Sequence, residues 1–113
     1  MIKAKIYRKK EQLICGFQLS GHAGYAEEGA DIVCSAVTIL VFNTVNAIES
    51  LTDAGFTCET DEKKGGFIKV VFPDEKMGTT NHDAQLLLQA MVLGLKDIEK
   101  EYNSYIILND EEV

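Results

Sequence analysis

His22 and Cys34, twelve positions apart in a chain of 113 residues with two histidines and three cysteines, are the residues whose types could together do acyl chemistry. A thiolate attacks a carbonyl carbon, and an imidazole can take the thiol proton and later return it to a leaving amine. Cys34 follows Asp31, whose carboxylate can cap a helix that starts near Ile32. The thiol then falls in the first turn, where the positive helix end and free amide groups stabilise a thiolate and can hold an oxyanion. His22 stands between Gly21 and Ala23, so its small neighbours leave the ring room to approach a substrate. On spacing alone, Cys34 is open to two readings, a nucleophile or a small core residue. Cys15 and Cys58 lack a helix end or a histidine nearby and read as packing. His82 reads as a solvated residue at a helix start, with no chemical role.

Several elements must position this pair. Ile2, Ala4 and Ile6 alternate with Lys3, Lys5 and Tyr7, the two-residue period of a strand with one wet face. A polar turn from Arg8 to Gln12 leads into a second strand over Leu13 to Leu19, giving a hairpin. Gly21 to Asp31, GHAGYAEEGAD, has three glycines in eleven residues and reads as a loop. The helix from Ile32 to about Asp53 is apolar nearly all round, which predicts burial on several sides. Phe56–Thr60 and Gly66–Phe72 read as a second hairpin about a turn at 61–65, stopped by Pro73. After a polar connection from Asp74 to Asn81, apolar residues from Asp83 to Tyr102 repeat at helical spacing. Tyr105–Leu108 suits a short last strand, and Asn109–Val113 reads as a fraying acidic tail. The order β-β-α-β-β-α-β predicts an α+β fold, a mostly antiparallel sheet of about five strands with two helices.

The chain length fits one domain over 1–113. An odd number of cysteines without a C-x-x-C pair argues against a disulfide framework and a cysteine-rich zinc site, and predicts reduced thiols in the cytoplasm. The basic start, Met1 to Lys10, has no apolar run after it and is not a secretory signal. The apolar stretch Ile32 to Val45 falls short of the roughly 20 residues that span a bilayer, so no membrane role is expected. A net charge of −7 disfavours direct nucleic-acid binding and suits basic partners. No phosphate loop, zinc helix or serine elbow motif is present.

Gly21-His22-Ala23, Gly29-x-Asp31-Ile32-Val33-Cys34 and Val45-Asn46-Ala47-Ile48, with Asp83-Ala84-Gln85-Leu86 and Glu99-x-Glu101-Tyr102-Asn103, resemble the ribosomal-processing cysteine protease family, Prp, over nearly the whole chain. The resemblance implies a cysteine endopeptidase that removes a short N-terminal extension, after a phenylalanine, from a large-subunit ribosomal protein of the bacterial bL27 type. It implies Cys34 as nucleophile, His22 as general base and proton donor, and Asp31 and Thr38 in support. Thr38 departs from the serine common in the family and adds a methyl group. A substrate-gating loop with Gly24, Glu27, Glu28 and Gly29, a homodimer, and no cofactor or metal are implied as well. The alternative function, suggested by the acidic charge and the loop, is a non-enzymatic ribosome-assembly or peptide-binding module. A thiol redox sensor would need a resolving cysteine nearby, which the sequence lacks.

Overall fold

The computed structural model describes residues 1–10, 12–21, 30–61, 66–73 and 81–113. Its elements are β1 (Ile2–Arg8), β2 (Ile14–Ser20), α1 (Ala30–Leu51), β3 (Thr57–Asp61), β4 (Phe67–Val71), α2 (His82–Glu101) and β5 (Ile106–Glu112). The α+β order expected from the sequence is the one observed. The five strands form one sheet in the order β3-β4-β2-β1-β5. Three pairs are antiparallel, and β1 with β5 is parallel.

Alternation decides which face of the sheet is dry. Ile2, Ala4 and Ile6 of β1, Phe17 and Leu19 of β2, Ile68 and Val70 of β4, and Ile106 of β5 are buried. They form one core with Val33, Val37, Val41 and Ile48 of α1 and Leu88, Met91 and Leu95 of α2. The register puts Ile6 opposite Phe17 and Phe17 opposite Val70, so one-residue slips would turn this whole set outward. The other face carries Lys3, Lys5, Gln18 and Lys69, in line with the wet face read from the alternation.

Three expectations need correction. The segment after Leu108 does not fray: β5 runs to Glu112, and each residue from Ile106 to Glu112 has a partner in β1. Its acidic side chains meet the basic start of the chain, with Lys5 Nζ 3.7 Å from Glu111 and Arg8 Nε 3.4 Å from Asp110. Opposite charges across strands take the place of apolar alternation here. Second, α1 is not buried on several sides. Its stripe of Val33, Val37, Val41, Thr44 and Ile48 is buried, whereas Ile32, Ile39 and Leu51 are more than 60% exposed. Third, the apolar part of the chain is not confined to Ile32–Val45: α1, with 22 residues close to the expected helix, is long and apolar enough to cross a membrane by length and composition alone. The stripe packed against the sheet is what a core helix also shows.

The two helices are joined closely. A Cβ at Gly94 would stand 2.8 Å from Leu40 Cδ2, so the Leu40 side chain of α1 packs directly on the α2 backbone there and would have to shift for any larger residue. Asn81 caps α2 by accepting from the Ala84 amide at 2.9 Å, and Gln85 in its first turn clasps β2. Gln85 Nε2 donates to the Ile14 carbonyl at 2.8 Å, and its Oε1 accepts from the Ile14 amide at 2.9 Å. This side-chain amide completes both backbone groups of Ile14 inside the core.

Candidate active site

Cys34 is the fifth residue of α1, because the helix begins at Ala30, two residues before the expected start. It therefore lies at the start of the second turn, a correction to its first-turn placement. The chemistry of the helix end still reaches it. Helical Cα–Cβ bonds tilt toward the N-terminus, so a side chain at this position leans back toward the amide groups of the first turn, which have no intrahelical acceptor. Asp31 is the second helical residue, exposed, and so stands within the first turn rather than as the flanking cap. There its carboxylate complements the positive helix end.

Half-buried Cys34 lines a cavity of about 420 Å³ between α1 and the sheet. One wall is α1, with Val37, Thr38, Val41 and Phe42. These residues fall three and four apart, so one helix face presents them all. The floor is Leu19 of β2 and Ile68 of β4, and the far rim is Thr60 and Asp61 of β3 with Gly66 and Phe67. Ser20 and Gly21 close the end at which His22 follows. The lining is mainly apolar with a thiol, three hydroxyl-bearing residues and one carboxylate at its edges, the make-up of a site that takes an apolar side chain and works on a polar bond beside it.

Gly21 fixes how the chain leaves β2 toward His22. Its φ is +90°, a conformation that residues with a side chain rarely adopt, and a Cβ there would collide with the Met1 carbonyl oxygen. His22, Gly24, Glu27, Glu28 and Gly29 lie outside the described residues, as do the connections at 62–65 and 74–80.

The other candidates separate by environment. Thr38, one turn after Cys34, is exposed and on the same cavity wall. Cys15 is half-buried and donates its thiol to the Tyr7 carbonyl at 3.5 Å. Cys58 is not a packing residue: it is exposed on β3, and the protein atoms around its thiol raise its pKa by desolvation. No disulfide joins the three. His82 is the first residue of α2, and its exposed ring lies 3.4 Å from the Asp83 carboxylate. Phe42, Thr60, Asp61 and Phe67 were not singled out from the sequence. Their role depends on β4 pairing with β2 and on α1 crossing above them, which no local pattern encodes. The one local signal was Phe42, an aromatic residue off the apolar stripe of α1.

A half-buried cysteine in the opening turns of a helix, lining an apolar cleft, is an arrangement that suits thiol hydrolysis. The family model for cysteine protease Prp matches residues 1–107. The ribosomal processing cysteine protease Prp of Bacillus subtilis is 40% identical over 103 residues, 90% of each chain. Its counterpart from Staphylococcus aureus is 37% identical over 109 residues, 96% of this chain and 98% of that one. A crystal structure of the S. aureus protease with a substrate peptide superposes with a TM-score of 0.88 at 36% identity, covering 98% of this chain and all of that one. The SMU.848 structure from Streptococcus mutans gives 0.90 at 33% identity, over 100% of this chain and 96% of that one. The chain belongs to the cysteine protease Prp family and is a cysteine protease.

Proposed function

We propose that this protease removes the N-terminal extension of a large-subunit ribosomal protein precursor of the bL27 type, with Cys34 as nucleophile and His22 as its base. The observation that carries the reading is Cys34 on the wall of the apolar cavity beside the strand end that leads to His22. In acylation, Cys34 Sγ attacks the scissile carbonyl carbon and the thiol proton passes to His22. In this reading the free amide groups at the start of α1 hold the oxyanion, and Asp31 supports that helix end. As the tetrahedral intermediate collapses, the C–N bond breaks, His22 protonates the leaving amine, and the N-terminal fragment remains as a thioester. Water, deprotonated by His22, then attacks the thioester to release a carboxylate and restore the thiol. The cavity suits the phenylalanine before the cleaved bond, with Phe42 and Phe67 as aromatic partners.

The names of the relatives, ribosomal processing proteases, support a ribosomal-protein substrate. The net charge of −7, to which Glu27 and Glu28 contribute, favours such basic partners. The exposed apolar residues Ile39 and Leu51 of α1 with Leu86 and Leu93 of α2 supply surface for a homodimer. Three cysteines without a disulfide suit the cytoplasm.

The test is incubation of an extended ribosomal protein with the wild type, Cys34→Ala and His22→Ala, read by mass spectrometry. The wild type is expected to yield one N-terminal fragment ending in phenylalanine, and both variants to yield none while keeping the wild-type circular dichroism. Full cleavage by Cys34→Ala rules the reading out. Binding of the extension without any product favours the peptide-binding alternative.

A further inference from the structure

We propose that the outer edge of β3 is the docking rail for the substrate, on which an extended peptide segment pairs as a sixth strand with Cys58 and Thr60. This rests on the proteolytic reading above and adds where the chain of the substrate lies.

The register fixes which backbone groups are open. The Phe72 amide donates to the Cys15 carbonyl at 2.9 Å, which puts Phe72, Val70 and Ile68 on the side of β4 that bonds β2. Backbone groups alternate sides along a strand, so Val71, Lys69 and Phe67 bond β3. Their partners are Thr57, Glu59 and Asp61. The amide and carbonyl groups of Cys58 and Thr60 therefore point away from the sheet, and among the described residues nothing takes them up. Residues Thr57 to Thr60 are all exposed, so a peptide backbone can reach this edge. The open groups recur about every 6.8 Å, the two-residue repeat of any extended peptide.

Two further observations point to a ligand here and not simply to a bare edge. The opposite edge of the same sheet is guarded. The Ile2 amide donates to the Tyr105 carbonyl at 2.8 Å, which in the parallel ladder turns Leu108 outward, and that outward amide is held by Glu99 Oε2 from α2. Asp110 and Glu112 add charge along that edge, the usual means of keeping a strand from pairing. The β3 strand carries charge too, at Glu59 and Asp61, but among the described residues no side chain takes up an outward amide at Cys58 or Thr60 as Glu99 does at Leu108. It also leads into the site, because Thr60 and Asp61 form the rim of the cavity that Cys34 lines. Main-chain pairing would give affinity, and the cavity would take one side chain of the paired segment.

The experiment uses a synthetic peptide spanning the phenylalanine cleavage site, with its backbone amides N-methylated one at a time outside the two residues at the cut. Methylation of two amides that are two residues apart is expected to lower kcat/KM about tenfold each, with the intervening amide changing it less than twofold. In parallel, Cys58→Pro removes an outward amide while leaving the β4 ladder intact. It should lower kcat/KM about tenfold while the melting temperature and the rate of Cys34 alkylation by iodoacetamide stay at wild-type values. If the unmodified peptide is cut but every N-methyl peptide is cut within twofold of it, the docking rail is wrong and the protease reading stands. If the methylated peptides behave alike and Cys58→Pro instead converts a dimer to a monomer, the edge belongs to a second copy and the proposal is overturned. An unmodified peptide that is not cut overturns the proteolytic reading and this proposal with it.

Discussion

The two ends of the sheet are built in opposite ways. At the β5 end, backbone and side-chain polar groups are taken up: Glu99 holds the Leu108 amide, and Arg8 and Lys5 meet Asp110 and Glu111, while Gln85 clasps Ile14 of the central strand β2. At the β3 end, α1 and the β3–β4 pair leave a cavity of about 420 Å³, an apolar Phe42 at the surface and an edge with open backbone groups. In the proposed reading, stability and chemistry fall to different parts of the sheet. A cleft that receives a peptide must stay unfilled and so cannot add to the core, whereas the half that holds no substrate can be closed by hydrogen bonds.

That division is broken or sharpened by paired measurements of stability and turnover. Gln85→Ala has the largest expected effect, since it leaves the amide and carbonyl of Ile14 buried without partners. It should destabilise by about 3 kcal/mol in denaturant unfolding. Its kcat/KM at a temperature where it is folded should remain within about twofold of the wild type. Phe42→Ala should do the reverse, cutting kcat/KM about tenfold by loss of an apolar contact to substrate while unfolding changes by less than about 1 kcal/mol, because the side chain is already 42% exposed. Glu99→Ala should cost about 1 kcal/mol, leave turnover unchanged and raise concentration-dependent association by opening the β5 edge, seen by light scattering. Lys5→Ala, which removes a surface ion pair, should change stability by less than about 0.5 kcal/mol. A Gln85 variant that lost activity while folded, or a Phe42 variant that unfolded, would erase the distinction between the halves.

Much of this was legible in the sequence, for physical reasons that differ by element. Alternation over Ile2 to Ile6 and helical spacing over Asp83 to Tyr102 are local signals, and both elements appear where those signals lie. The last strand ran longer than expected because Asn109 to Glu112 carry no apolar alternation. Their partner is the basic first strand, more than a hundred residues away, and only parallel pairing reveals it. The apolar face of α1 was read as buried since composition does not say how many neighbours a helix has. Cys34 and Asp31 were visible as a helix-start pattern, displaced by two residues because Ala30 and Asp31 join the helix. The cavity was not visible, for its walls are Cys34 and Phe42 on one element and Thr60 and Phe67 on two others. They meet only once the sheet order is set. The difference between the sheet edges was hidden for the same reason.

The central claim is that Cys34 forms a thioester with the N-terminal fragment during cleavage. Rapid acid quenching of a single turnover, followed by intact-mass and fragment-mass analysis, tests it most directly. The expected result is a transient adduct equal to the protein plus the fragment, less one water, mapped to Cys34 and absent in Cys34→Ser. Cleavage at full rate with the adduct on another residue, or with Cys34 replaced by alanine, would contradict it.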